Sequence, residues 1–412
     1  MKLTREEQEM LDGKRGDAIQ KAMELLVAVG DCYDAQQMVR VSSVHLVGAN
    51  PVAAGIGGTK FIKEMAARGG KFVVPTTTNP ACFDPWAWRE MGFGEELHQK
   101  HLALSRILAE MGGFLCHTCT PYLIGHAPRM GEHLAWCESS AIIYANAVMG
   151  SRTNREGGPS GLASAIAGRT PAYGYHLDEN RYGTLKIMVN AELRGDTDYA
   201  TLGCFTGRIA QDRVPIFTGI PDCVSRDELK CLGTALANAG SVAHYHVVGI
   251  THEAPTEEAA SGSKIINSSN TFNFGPRELK ETEESLSGAD PEAADLVVLG
   301  CPHASIDQVK NYAKVLSGRR IKSNIDIWIL ISHVIKQYAE DIGYASIIES
   351  AGAKLLSNTC PGTMPEDFFK KRGYKVVATD STKQAYNFLT IKDVSCYYGS
   401  LDKFIDVLTY PI

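Results

Sequence analysis

Apolar and polar positions along this chain alternate between two periods. Thr4 followed by Glu7 has the spacing of a capping box, which opens a short helix stopped near Gly13. Ile19, Met23, Leu26 and Val27 recur at helical spacing and predict a second helix over 17–29. After that, short apolar runs lead into glycine or small-residue turns. Residues 39–47 read as a strand leading into Gly48-Ala49-Asn50, and 71–78 as one leading into Asn79-Pro80. A further strand is expected over 114–119, and the alanine-rich stretch 131–149 reads as one long helix. Residues 157–161 read as a glycine-rich loop, 261–273 as an exposed connection, and the acidic stretch 278–292 as a solvated surface or boundary. The alternation returns with strands at 295–299, 354–358 and 374–379, leading into Gly-Cys301-Pro-His, Thr-Cys360-Pro-Gly and Asp-Ser381-Thr382.

Strands alternating with helices predict layered α/β architecture with largely parallel sheets. A chain of 412 residues suggests two or three domains at roughly 100–200 residues each. Boundaries are expected at 1–150, 151–285 and 286–412. In parallel sheets ligand-binding groups lie beyond the carboxyl ends of the strands. Asn50, Asn79, Cys119, Cys301, Cys360 and Ser381 all fall at such positions.

Composition narrows the function. With 44% hydrophobic and 21% charged residues the chain is globular, and its net charge of -6 argues against a general nucleic-acid or polybasic membrane surface. The chain opens on charged residues without an apolar signal segment. The apolar run 327–335 is short of the ~20 residues a membrane span needs. A cytoplasmic location is expected, where 11 cysteines are buried thiols, metal ligands or nucleophiles rather than disulfides.

Cys116 and Cys119 form the only CxxC, which by itself leaves a redox pair, half a zinc site or two core residues open. Cys301 and Cys360 each precede proline after an apolar strand, which keeps the sulfur at a loop tip. Three such thiols from three loops suit an iron or iron–sulfur site with one position open. An open position lets iron polarise a substrate hydroxyl. Glu138-Ser139 offers a buried carboxylate that is either a general acid, a substrate contact or a structural polar pair. Ser151 to Gly158 gathers Arg152 and Arg155, which hold carboxylates or phosphates, or one another's partners in ion pairs. His117, His126, His133, His303 and the pair His244 and His246 read as structural polar residues. Neither Gly55-Ile56-Gly57-Gly58 nor 157–161 matches a nucleotide-binding loop.

Several segments together resemble the aconitase X family. They are Val44-His45-Leu46-Val47-Gly48, Thr77-Thr78-Asn79-Pro80, Cys119-Thr120-Pro121-Tyr122-Leu123, and Gly131-Glu132-His133 through Glu138-Ser139-Ser140. The block Gly150-Ser151-Arg152-Thr153-Asn154-Arg155-Glu156-Gly157-Gly158-Pro159-Ser160, Gly300-Cys301-Pro302-His303 and Asn358-Thr359-Cys360-Pro361-Gly362 complete the set.

The resemblance implies an aconitase-like multi-domain three-layer α/β/α architecture lacking the small swivelling domain. That domain is then expected as a separate small subunit, which closes the site and supplies a catalytic serine. It further implies a hydro-lyase that dehydrates a small hydroxy acid, either cis-3-hydroxy-L-proline or mevalonate 5-phosphate. The cysteine content and modest charged fraction lean towards a mesophilic, bacterial enzyme without choosing between those substrates. Cys119, Cys301 and Cys360 would bind a 4Fe-4S or 2Fe-2S cluster or a mononuclear iron. The substrate contacts carried over are Gly48, Ala49, Asn50, Asn79, Pro80, Glu138, Ser139, Ser381 and Thr382, with Glu138 and Ser139 in the catalytic role. Two other readings stay open: a non-catalytic iron–sulfur electron carrier or cluster carrier, and a zinc hydrolase using Cys116, Cys119 and His126.

Overall fold

The computed structural model describes residues 1–411. Strands β1 (Met38–Arg40), β2 (Val44–Leu46), β3 (Thr76–Thr78), β4 (Ala135–Trp136) and β5 (Arg169–Pro171) form the first group. β2 lies between β3 and β4 in a small parallel sheet, in register Leu46↔Thr78 and His45↔Trp136, while β1 pairs antiparallel with β5. The helices Asp17–Cys32, Pro51–Ala67, Glu95–Glu110 and Gly158–Ala167 pack around it. They bury Met23, Leu26, Ile62, Leu104, Leu108 and Ile166 against Val44 and Leu46. Each such large aliphatic side chain contributes about 1.5–3 kcal/mol.

Strands β6 (Leu185–Val189), β7 (Pro215–Thr218), β8 (His246–Val247) and β9 (Thr271–Phe274) form a second parallel sheet in the order β8-β7-β6-β9. Its helices Gly195–Ala210 and Arg226–Gly240 approach closely because glycines line their contact. A Cβ on Gly203 would lie 2.4 Å from the Leu232 carbonyl oxygen, and one on Gly240 would lie 2.1 Å from that of Gly207. Alanine at either position would force the pair apart.

The third group comprises β10 (Leu296–Ala304), β11 (Arg319–Ile321), β12 (Asp326–Ile331), β13 (Lys354–Ser357), β14 (Val376–Thr379), β15 (Ser395–Tyr398) and β16 (Thr409–Pro411). Five of them make a parallel sheet, β13-β12-β10-β14-β15, while β11 and β16 pair antiparallel. Central β10 explains the layering. Leu296 and Val298 point into one core and Val297 and Leu299 into another, so the strand is covered on both faces, as a parallel sheet requires. The multi-domain α/β fold expected from the sequence is therefore the one formed.

Several elements differ from their sequence reading. Residues 39–47 are two strands, because Val41 and Ser42 donate to Gly168 and His133 instead of continuing a ladder. Only Thr76–Thr78 of 71–78 pairs in a sheet. Residues 114–119 form a loop joined by one bridge, Thr77↔Phe114, with His117 at φ 43°. The stretch 131–149 is not one helix: β4 occupies its start and the helix is Ser139–Ala147. Alanine content suggests a helix there, but the buried Ala135 and Trp136 belong to a strand. Gly158 and Pro159 begin the helix Gly158–Ala167 rather than a free loop, proline being suited to a first helical turn. Among the described residues no helix is long and apolar enough to cross a membrane.

Candidate active site

The carboxyl ends of β2, β3, β4, β10, β13 and β14 deliver the side chains singled out by sequence. After β2, Gly48 takes φ 79° and Asn50 caps the helix Pro51–Ala67, accepting from Ala53 N at 2.9 Å. Asn50 Nδ2 donates to the Pro80 carbonyl at 2.8 Å, tying the loop after β2 to the loop after β3. Asn79 then donates to Glu138 Oε2 at 2.8 Å. Glu138 occupies the N-cap position of the helix Ser139–Ala147. Its Oε1 accepts from Lys383 Nζ at 2.8 Å, from Ser140 Oγ at 3.2 Å and from Ser139 Oγ at 3.4 Å. Lys383 Nζ also lies 3.4 Å from Ser139 Oγ.

Burial would raise the Glu138 carboxyl, but the Lys383 ammonium, the Asn79 amide and the neighbouring His45 outweigh it and hold the group down at about 2. Lys383 is likewise opposed by burial, yet Glu138 and the nearby thiols raise it. The pair is a buried carboxylate facing a buried ammonium, linking the first sheet's loops to the helix after β14. Among buried ion pairs, removal of one partner is costly because the other charge is left alone.

Cys119, Cys301 and Cys360 are close enough for each thiol's charge to disfavour another's. Burial raises all three, Cys360 to about 11, and Cys301 adds to the rise of Cys119 and of Cys360. Each has a place in a hydrogen-bonded frame. Cys119 Sγ accepts from His303 N at 3.2 Å, and Cys301 Sγ from Gln384 Nε2 at 3.1 Å. The Cys360 backbone donates to Ala81 at 3.0 Å.

His303 joins the three cysteine loops. Its Nε2 meets the Thr359 carbonyl at 2.8 Å, so that nitrogen carries the proton; Nδ1 is then free to accept from Thr118 Oγ1 at 3.0 Å. Burial keeps the ring neutral by pushing it down to about 4.

Of the residues expected from sequence, Asn79, Glu138, Ser139, Cys119, Cys301 and Cys360 converge. Ser381 caps the helix Thr382–Asn387 through Gln384 N, beside Cys301. Asn50 and Pro80 support the rim through their mutual bond. Gly48, Ala49 and Thr382 make no hydrogen bond to these groups. Cys116 donates to the Thr78 carbonyl at 3.3 Å, and both cysteines of the CxxC are free thiols. His126 is held by Thr77 Oγ1 at 2.7 Å. Cys116, Cys119 and His126 do not form a metal-sized cluster.

Sequence reasoning missed four residues. Lys383 and Gln384 directly follow the singled-out Ser381-Thr382, and His45 and His303 lie within quoted motifs; adjacency to a strand's carboxyl end was the available signal. His45 Nε2 and Asn79 Oδ1 neighbour one another without a well-formed hydrogen bond, and Gln384 Oε1 is buried without a partner; such an orphan marks where a ligand or water belongs. A cavity of about 710 Å³ lined by Asp196, Gln308, Tyr312, Asp380 and Lys403 contains none of the three cysteines.

The residues suit a metal–sulfur group. Three thiols converge with N–H donors aimed at two of their sulfurs, the arrangement that holds iron–sulfur clusters, and the Lys383 ammonium is a counter-charge for Cys301 and Cys360. They do not suit a single ion as they stand. Among the described residues, the only three His, Cys, Asp or Glu whose ligand atoms all lie within 4.8 Å of one another are His244, His246 and Glu253.

Comparison with known proteins agrees over nearly the whole chain. Residues 1–179 match the aconitase X first domain, 183–284 the second and 294–409 the third. The phosphomevalonate dehydratase large subunit of Methanothermobacter thermautotrophicus is 44% identical over 93% of this chain and 92% of its own length. The cis-3-hydroxy-L-proline dehydratase of Pseudomonas aeruginosa is 31% identical over 92% of this chain but only 65% of its own length. The crystal structure of Thermococcus kodakaraensis aconitase X in its holo-form superposes with a TM-score of 0.89 at 36% identity, covering 98% of this chain and 99% of that one. Dehydratase relatives and this architecture set the electron-carrier reading aside. The chain belongs to the aconitase X family and is a hydro-lyase.

Proposed function

We propose that the chain is the large subunit of a phosphomevalonate dehydratase, holding an iron–sulfur cluster on Cys119, Cys301 and Cys360. The convergence of these thiols beside the Glu138–Lys383 pair carries the reading. The M. thermautotrophicus phosphomevalonate dehydratase large subunit is 44% identical and the P. aeruginosa hydroxyproline enzyme 31%, which favours phosphomevalonate over hydroxyproline, and the relative's being a large subunit favours a separate small one. A cluster is favoured over mononuclear iron because the thiols are not packed closely enough for one ion.

When bound, the cluster supplies an iron that polarises the leaving hydroxyl. The chain's own residues do the rest of what can be assigned to it. Glu138 is ionised at rest, so it accepts a hydrogen bond from a substrate hydroxyl rather than donating a proton. Lys383 stays protonated, donates a hydrogen bond to Glu138 and is the local cation for an anionic substrate. Asn79 fixes the Glu138 carboxylate, and its Oδ1 with His45 Nε2 offers the remaining polar contacts. Ser139 lies within reach of both charges as a substrate contact, while Asn50, Pro80 and Ser381 hold the rim. A serine from the small subunit would act as the base that removes the neighbouring proton.

The test is turnover of the reconstituted chain with its small subunit. Alkene formation from mevalonate 5-phosphate, absent with either polypeptide alone, is expected. Dehydration of cis-3-hydroxy-L-proline instead would overturn the substrate assignment.

A further inference from the structure

Outside the thiol site, the second sheet carries its own group of ligand atoms. We propose that His244, His246 and Glu253 form a second metal site, taking a divalent transition-metal cation such as zinc. Their ligand atoms all lie within 4.8 Å of one another. His244 and His246 are 0% and 2% exposed, so their lone pairs are not served by bulk water.

The histidines are pre-set as ligands. His246 Nε2 meets the Arg181 carbonyl at 2.8 Å and must carry the ring proton, since a carbonyl only accepts. Its Nδ1 is then a bare lone pair, buried and without a partner. A metal-binding histidine is oriented in this way, with its second nitrogen bonded to a backbone carbonyl. Neither His244 nitrogen has a well-formed hydrogen bond, and Nε2 lies 3.1 Å from Glu253 Oε2.

Glu253 is anchored by Arg181, whose Nε lies 2.9 and 3.0 Å from its two oxygens and whose Nη2 lies 2.7 Å from Oε2. Hydrogen bonding of this kind fixes ligating carboxylates, though the guanidinium also repels an incoming cation and weakens the site. Two imidazoles and a carboxylate suit zinc, iron(II), cobalt(II) or nickel(II) rather than magnesium or calcium. A cavity of about 250 Å³ lined by Asp178, Arg181, Tyr182, His246, Glu253 and Ala259 opens onto the group.

A bound cation would clamp the turn carrying Glu253 to β8. Arg181 Nη2 also donates to the Asn146 carbonyl at 3.1 Å, on the helix that starts at Ser139. The clamp therefore reaches the element that positions Glu138.

The experiment is titration of the chelator-washed full chain with cobalt(II), read by visible absorption and by metal content after gel filtration. One cobalt per chain with ligand-field bands but no sulfur-to-cobalt charge transfer is expected, additional to any thiol-bound cobalt, and lost in His244→Leu. Retention of that cobalt by a folded His244→Leu chain, or its absence from the wild type, would overturn the proposal. Should His244→Leu fail to fold, X-ray absorption at the cobalt edge of the wild-type chain decides. An imidazole-containing nitrogen and oxygen shell supports the site, and sulfur ligands alone overturn it.

Discussion

The two ligand groups of this protein are built in opposite ways. Cys119 comes from the loop after the helix Glu95–Glu110, Cys301 from within β10 and Cys360 from beyond β13, so the thiol site joins segments separated by about half the chain. His244 and His246 stand two residues apart, and Glu253 lies in the turn that follows. The distant thiols are loosely spaced, with N–H donors aimed at two of them. The histidines and carboxylate are tightly spaced, with the bare His246 Nδ1 lone pair buried among them. Spacing therefore separates the two roles: a group of several atoms needs room between its ligands, whereas a single ion needs them close.

Substitution can break this contrast, and the Glu138–Lys383 pair gives the largest effect. Lys383→Met strands a buried carboxylate, so a stability loss of about 3–5 kcal/mol is expected, with turnover reduced at least about a hundredfold. The double variant Glu138→Gln with Lys383→Met should recover most of the stability but none of the turnover. Denaturant unfolding beside the alkene assay measures both.

His303→Leu tests the joint between the three cysteine loops. Leaving the Thr359 carbonyl and Thr118 hydroxyl unpartnered should cost about 2–3 kcal/mol, and iron content after reconstitution should fall with it. His244→Leu, on the other side of the comparison, should leave iron content unchanged.

Asp380 gives a pH-dependent effect. Burial pushes its carboxyl up from 3.8 to about 6, although the Tyr312 hydroxyl donates to it. Folding thus favours the protonated form. Below 3.8 the group adds no penalty; as pH rises from there through about 6 the unfolded chain releases the proton first and stability falls. Asp380→Asn should therefore gain on the wild type across that window, by about 3 kcal/mol at neutral pH, measured by unfolding at several pH values. The smallest effect is expected for metal-free His244→Leu, within about 1 kcal/mol, because it removes one contact of a Glu253 carboxylate that Arg181 still holds.

Much of this was legible in the sequence. Parallel α/β layering follows from the strand–turn–helix alternation, and strand-end positions single out Asn79 and Cys360, whereas Cys119 lies in a loop that the sequence reads as a strand and Cys301 lies within β10 rather than beyond its end. Glu138 was recognised, but its setting was not: the alanine-rich stretch around it obscured β4, which delivers it to the site. Lys383 was missed because a lysine one turn into a helix normally reaches solvent; only the tertiary fold buries it against Glu138. His244 and His246 read as structural because nothing in their spacing reveals that Glu253 folds back upon them.

The central claim is that three far-separated thiols hold one iron–sulfur cluster. The direct measurement is iron and acid-labile sulfide per chain after anaerobic reconstitution of the wild type and of Cys119→Ala, Cys301→Ala and Cys360→Ala, with circular dichroism to verify the fold. The account predicts iron accompanied by sulfide in the wild type and loss of both in each variant. A folded variant that keeps the full wild-type complement, or wild-type iron without sulfide, would contradict it.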